Sequence, residues 1–406
     1  MNRFFAVCAL GLAMGLSPVA KALSQDEVLA LHQQLLTLDT HLDTPAHLVE
    51  PGFDIMARHS PQDSQVDVPK MNEGGLDGGF WAIYSPQGPL TQAGFEQSRD
   101  TALLRAMAIH KMVDTHPAVF TFTTNPAEAP AIAKAGKKVV FISMENAYPL
   151  GEDISLLTTF YKMGLRMVGP VHFKNNQFGD SATDPDGEKW HGLSPLGEAL
   201  VAKANQLGIV LDGSHSSDAV TEQMIALSKT PIMLSHSASK AIYDHPRNAS
   251  DALIKKLAAS GGVIQVNSYS SYLKALPANP ERKAALTALY QHFESLSNPT
   301  AEQLADFKAK RHAIDAKYPP VHADFDDFMR HLLHILKVAG PKHVGIGCDW
   351  DGGGGVNGMM DVSALPKISA RLLKAGYSKA DLADIWGNNA LRVLKAAEDY
   401  AASVKP

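Results

Sequence analysis

Cysteine is almost missing from this chain. Of two cysteines in 406 residues, Cys8 falls in the apolar N-terminal stretch, which leaves Cys348 alone in the body of the sequence. An intrachain disulfide is thereby excluded, and the fold must rest on its core. Cys348 has no cysteine partner at zinc-thiolate spacing and reads as a small buried filler. Excess positive charge is also lacking: 37 Lys and Arg against 42 Asp and Glu give a net charge of -5, which is no footprint for nucleic acid. Beyond the N-terminus no apolar run reaches the about 20 residues needed to span a bilayer. There is no G-x-G-x-x-G or Walker motif, no internal repeat and no low-complexity tract. The glycines from Gly352 to Gly355 are followed by no Lys-Ser/Thr pair and read as a flexible loop. The remaining composition, 45% hydrophobic and 19% charged, is that of an ordinary enzyme with a large core.

The N-terminus carries a targeting pattern. Arg3 precedes an apolar stretch from Phe4 to Leu16, and Ala20-Lys21-Ala22 fits the small-x-small cleavage rule. Residues 1–22 are therefore expected to be a cleaved signal peptide, and residues 23–406 one domain exported to a periplasm or beyond. The C-terminal Tyr400 to Pro406 lacks the hydrophobic tail of a lipid-anchor signal, so no membrane anchor is expected after cleavage.

Strand-like and helix-like segments then alternate along the chain. Extended runs read at 79–84, 138–142, 165–171, 207–212, 231–235, 263–267 and 343–347, with helices such as Pro195–Leu207 between them. Such alternation predicts a parallel sheet with crossover helices, and seven or eight units favour a closed (β/α)8 TIM-like barrel. Residues 268–321 break the rhythm. They are rich in Ala, Lys, Glu and Gln and predict a helical insertion near the catalytic face.

The strand ends carry the chemistry. His41-Leu42-Asp43 sets two ligand types two residues apart, where a strand aims both at one face. Glu145 closes the run Phe141 to Met144, and a buried carboxylate there needs cations to compensate it. His215 and His236 end two further strands. Two imidazoles with these carboxylates suit two borderline metals such as Zn²⁺. Asp349, with Asp351 as its rival, could take a proton from a metal-bound water and return it to a leaving amine. His172 and Arg247 read as substrate handlers, the guanidinium being suited to clamp a carboxylate.

As a set these motifs resemble the membrane (renal) dipeptidases, a zinc peptidase family of the amidohydrolase superfamily. The resemblance runs from His41 to about Asn389. It is carried by Asp39-Thr40-His41-Leu42-Asp43, Val168 to Phe173, Asp212-Gly213-Ser214-His215, Ser235 to Asn248 and His343 to Gly352. It implies a binuclear zinc dipeptidase acting on small dipeptides through a metal-bridging hydroxide, with tolerance of a D-residue at the C-terminal position. It assigns His41 and Asp43 to one zinc, Glu145 as the bridge, and His215 and His236 to the second. His172 would contact the substrate carbonyl, Arg247 would hold the C-terminal carboxylate, and Asp349 would be the catalytic carboxylate. Tyr269, in Val266-Asn267-Ser268-Tyr269, is a pocket candidate. The alternative is a related amidohydrolase acting on N-acyl amino acids or β-lactam-type amides, and a homodimer is compatible with either. The chain departs from the family where Asn146-Ala147 replaces Gly-Gly after the bridging glutamate, a change expected to alter the pocket or its loop.

Overall fold

The computed structural model describes residues 24–294, 296 and 300–404. The expected signal peptide lies outside the described residues. Among the described residues nine strands occur: β1 Leu38–Leu42, β2 Gly78–Tyr84, β3 Phe120–Phe122, β4 Lys138–Glu145, β5 Leu165–Val168, β6 Val210–Leu211, β7 Met233–Ser237, β8 Val263–Val266 and β9 Val344–Ile346. All pairs are parallel, in the orders β1-β2-β4-β5-β6 and β7-β8-β9. Two parallel bridges join these arcs, Asp212 with Met233 and Leu42 with Trp350. Eight strands thus curl round on themselves. β3 stands aside, paired only with the start of β4.

The strands are buried on both faces, which is why they read as continuous apolar runs. Leu38, Phe80, Val139, Phe141, Met167, Val210, Met233 and Val263 form one buried cluster with Val393, Leu394 and Ala397. Seven strands contribute to it, and only the barrel interior lets seven strands meet. The helix Asn389–Val404 closes this end. A second, larger cluster includes Leu42, Trp81, Val140, Ile142, Val168, Leu211, Leu234 and Ile264, which face the surrounding helices. Strand periodicity then fixes the opposite mouth. Two residues on from Phe80 and Phe141, and two again, come Tyr84 and Glu145, on the same inward face.

The connecting helices start where short polar side chains can cap them. Ser194, Ser217 and Ser250 each accept a hydrogen bond from a first-turn N–H, opening Pro195–Leu207, Asp218–Leu227 and Asp251–Ala259. The expected insertion is helical, with Pro280–Glu294 and Ala301–Lys317 forming a hairpin. Phe293 stacks on Phe307 at 4.3 Å between ring centroids, and Arg282 pairs with Asp315 at 2.7 Å. Lys308 to Glu50 at 2.8 Å and His312 to Asp63 at 3.0 Å dock the hairpin on the loop that follows β1. The insertion therefore lies at the C-terminal mouth of the barrel, the face where barrel enzymes build their sites.

Candidate metal centre and active site

Glu145, the last residue of β4, stands at the middle of the mouth. Its Oε2 lies 3.5 Å from His41 Nε2. Its Oε1 lies 3.0 Å from His215 Nε2, 3.3 Å from His236 Nε2 and 3.8 Å from His172 Nε2. Asp43 Oδ2 is 3.2 Å from His41 Nε2. One carboxylate thus turns its two oxygens to two different sets of imidazoles. Three overlapping groups have donor atoms within 4.8 Å of one another: His41, Glu145 and His236; Glu145, His172 and His215; His41, Asp43 and Asp349. Of the nine predicted site residues, seven, His41, Asp43, Glu145, His172, His215, His236 and Asp349, are brought together here.

Several strand ends fall elsewhere than the sequence suggests. His41 and His236 lie within β1 and β7, and Glu145 terminates β4. His172, His215 and Asp349 lie in loops just beyond β5, β6 and β9. His215 and Asp349 have φ of 68° and 65°, the left-handed region, and so does Asp351 at 64°. Such a conformation costs a non-glycine residue about 1–3 kcal/mol and persists where surrounding structure enforces it. Gly352 explains the tight fold of this loop. A Cβ there would stand 2.1 Å from Asp43 Oδ2 and 2.2 Å from Asp349 Oδ1, so only glycine lets these two carboxylates sit side by side.

The electrostatics separate the groups. Burial, with Arg247 and His172, holds the His215 imidazole well below its ordinary range. Burial and His41 do the same for His236, and burial lowers His172 against the pull of Glu145. Burial disfavours the charge of Glu145, but His41 and His172 outweigh it and hold its carboxyl well below the carboxylate range. Burial likewise opposes protonation of His41, yet Glu145 and Asp43 raise it well above its usual value. Burial raises Asp349 well above the carboxylate range, helped by Asp43 and Glu145 and opposed by His41.

These donors fit divalent metal. His41 Nδ1 and Nε2, Asp43 Oδ1 and His215 Nδ1 are buried without a hydrogen-bond partner, a costly arrangement that coordination would relieve at His41 Nε2 and Asp43. His215 and His236 bring their Nε2 atoms to 2.9 Å. Asp212 fixes one of them from behind. It accepts hydrogen bonds from the Ser214 and Ser235 N–H groups, each at 2.9 Å, and from the Ser235 hydroxyl. Ser235 Oγ in turn lies 2.8 Å from His236 Nδ1. With its hydroxyl proton given to Asp212, Ser235 accepts from Nδ1–H, which leaves His236 Nε2 bare toward the centre. Carboxylates commonly orient metal-binding histidines in this way.

A cavity of about 260 Å³ opens over the cluster, lined by Asp43, Glu145, His172, His215 and Asp349. Tyr269 lines it as expected and stacks on Tyr272, centroids 4.4 Å apart. Tyr84, Arg105, Phe173 and Tyr272 also line it. Arg105, Phe173 and Tyr272 fall on no strand end; Tyr84 ends β2, and the inward face of that strand was the available signal. Arg247 is placed differently. Its Nη1 donates to Ser237 Oγ at 3.1 Å and its Nη2 to the His236 carbonyl at 2.9 Å, and its guanidinium lies 5.5 Å from the Tyr272 ring. It braces the strand under His236 and is not among the cavity-lining residues. Asp351 lines the cavity, but its carboxylate accepts from Thr44 Oγ1 at 2.7 Å and Gln65 N–H at 2.5 Å. That binds it to the β1 loop and leaves Asp349 as the carboxylate facing Asp43. Asn146 takes φ of 67°, the conformation a glycine would supply, and its side chain accepts from Asn176 Nδ2 at 2.9 Å. It shapes the loop and does not line the cavity.

Imidazoles gathered about one carboxylate at the mouth of a parallel barrel are the equipment of a metal-dependent hydrolase. The chain matches the membrane dipeptidase family, peptidase family M19, over residues 25–406, and it belongs to that family of metallo-dipeptidases. It is 29% identical to dipeptidase ataJ of Aspergillus terreus over 413 residues, 93% of this chain and 90% of that protein. It is 27% identical over 383 residues to an uncharacterized dipeptidase of Schizosaccharomyces pombe, 90% of this chain and 82% of the relative. Among solved structures, the probable dipeptidase PvdM from Pseudomonas aeruginosa matches with a TM-score of 0.77 at 30% identity, covering 93% of this chain and 98% of that one.

Proposed function

We propose that this metallo-dipeptidase is binuclear and uses zinc, with His41 and Asp43 holding one ion, His215 and His236 the other, and Glu145 both. The observation that carries this reading is Glu145 itself, whose Oε2 faces His41 while Oε1 faces His215 and His236. Two bound Zn²⁺ ions would acidify a water molecule and stabilise negative charge on the carbonyl oxygen of the scissile bond. Asp349, beside Asp43 across Gly352, takes the proton of the attacking water on its carboxylate and delivers it to the leaving amine nitrogen. Its raised proton affinity suits both halves of that transfer. His172 Nε2 holds the carbonyl oxygen from the β5 side. Arg247 supplies positive charge for the substrate's terminal carboxylate from beneath His236, whose carbonyl it binds. Tyr269 and Tyr272 form one wall. A cavity of about 260 Å³ is of a size to take a dipeptide.

D-residues at the C-terminal position are included in the substrate range. The proposed location is a periplasm or the exterior, and no helix among the described residues is long and apolar enough to cross a membrane. The deciding experiment is a dipeptide library, with both stereochemistries at the C-terminal residue, on protein whose metal content is measured. N-acyl amino acids and a β-lactam serve as comparison substrates. Two zinc ions per chain with turnover of free dipeptides is the expected result. A fully metallated protein that cleaves the comparison amides but no dipeptide would overturn the substrate assignment, and one ion per chain at full activity would overturn the binuclear one.

A further inference from the structure

Arg105 comes from the helix Gln92–Thr115 and reaches the cavity beside Tyr84. Its Nη1 donates to the Tyr84 carbonyl, and its guanidinium lies 5.5 Å from the Tyr84 ring. Its Nε is buried and makes no hydrogen bond among the described residues. No carboxylate among the described residues stands within ion-pair distance of it, although Asp43 and Glu145 act on it from farther off. Those two carboxylates face His41 and the other imidazoles instead. A half-buried guanidinium without its own counter-ion is costly. Arg105 is thus a cation turned toward a substrate cavity, with its planar donor edge only partly used, and that edge suits a carboxylate.

Resting on the dipeptidase reading above, we propose that Arg105 binds the side-chain carboxylate of an acidic dipeptide and makes the enzyme selective for substrates containing Asp or Glu. The terminal carboxylate is served by the charge of Arg247 on the β7 side. Arg105 stands on the β2 side, so a substrate lying across Glu145 would present a second anionic group to it. The Tyr84 carbonyl and ring hold the guanidinium in place.

The test compares Ala-Glu with Ala-Gln, Glu-Ala with Gln-Ala, and the corresponding Asp and Asn peptides, in both stereochemistries, on the zinc-loaded full chain. The wild type should favour the acid over its amide by about 10-fold or more in at least one order. Arg105→Gln should raise KM for the acidic peptides by at least about 30-fold, the loss of one partner from a desolvated charge pair, while kcat and the amide substrates change little. Arg105→Lys, which keeps the charge, should recover part of the preference. A wild type indifferent to acid against amide overturns the proposal whether or not the variants fold, and so does an Arg105→Gln protein slowed equally on every peptide. Inactivity of the wild type on all dipeptides would defeat the dipeptidase reading instead. Calorimetry with glutamate and glutamine would then decide: binding of glutamate alone, lost in Arg105→Gln, supports the carboxylate site, and its absence sinks it.

Discussion

Gly352→Ala isolates what the loop after β9 does. Gly352 does not occupy the left-handed region, so alanine imposes no backbone penalty there. The added methyl would meet Asp43 Oδ2 at 2.1 Å and Asp349 Oδ1 at 2.2 Å, whereas ordinary contact begins at 3.4 Å. Each oxygen must therefore withdraw by about 1 Å, or the loop must shift as far. Overpacking of this kind typically costs about 1–3 kcal/mol, which a barrel of this size survives folded. The effect on catalysis is larger. Misplacement of reacting groups by about 1 Å can cost roughly 10²-fold in rate, and here both a proposed ligand and the proposed proton carrier move together. We expect kcat on a good dipeptide to fall by at least about 10²-fold, with the ion beside His41 bound more weakly. The assay is steady-state hydrolysis at saturating metal, with metal content by mass spectrometry and a thermal melt on the same protein. A Gly352→Ala enzyme with wild-type kcat and two bound ions would refute the packing of Asp43 against Asp349 and the roles argued from it.

Other perturbations bear on separate parts of the site. Ser235→Ala should strand His236 Nδ1–H and free Asp212, weakening metal affinity by about 10–100-fold in a chelator competition; unchanged affinity would remove Ser235 from the support of His236. Glu145→Gln keeps the shape but halves the ligating power of the bridge and should lower kcat/KM by roughly 10³-fold; near-normal activity with two ions bound would disprove bridging. Burial opposes protonation of His47, but its pairing with Asp351 and Glu50 raises its pKa to about 9. Because the folded value exceeds the unfolded one near 6.5, its stabilisation is complete below that pH and disappears as the pH rises through about 9. Urea unfolding of His47→Gln should thus show a deficit of about 1–3 kcal/mol at pH 6 that closes by pH 10, and parallel pH profiles would contradict the linkage.

Much of the site was legible because strands impose a period of two and barrels collect strand ends. An acid after Phe141-Ile142-Ser143-Met144 has to fall at the mouth once Phe141 points inward, and Glu145 does. His41 and Asp43 were legible as a pair two residues apart on one face, although it is the register shift between Asp39 and Leu42, and not the period from inward Leu38, that turns them to the mouth. Residues in loops beyond the strands were legible only as metal-type side chains following apolar runs, and their particular roles came from the motif resemblance, since no periodicity extends to His172, His215 or Asp349. Their placement depends on left-handed backbone at His215 and Asp349, which the sequence does not announce because neither is glycine. The exchange of Gly for Asn146 was visible but its effect was not. Asn tolerates positive φ and uses its amide to brace the loop, so the pocket is not narrowed by it.

The sequence by itself determined the kind of fold, the side chains able to bind metal and the peptidase class, because ligand chemistry is restricted to few side chains and their spacing is local. Tertiary structure alone decided which groups share an oxygen of Glu145, that Asp349 and not Asp351 is left facing Asp43, and that Arg247 braces His236 while Arg105 faces the cavity. Two arginines of equal charge differ only in what surrounds them. Their neighbours come from strands and helices far apart in the chain, and only the closure of the barrel brings those together.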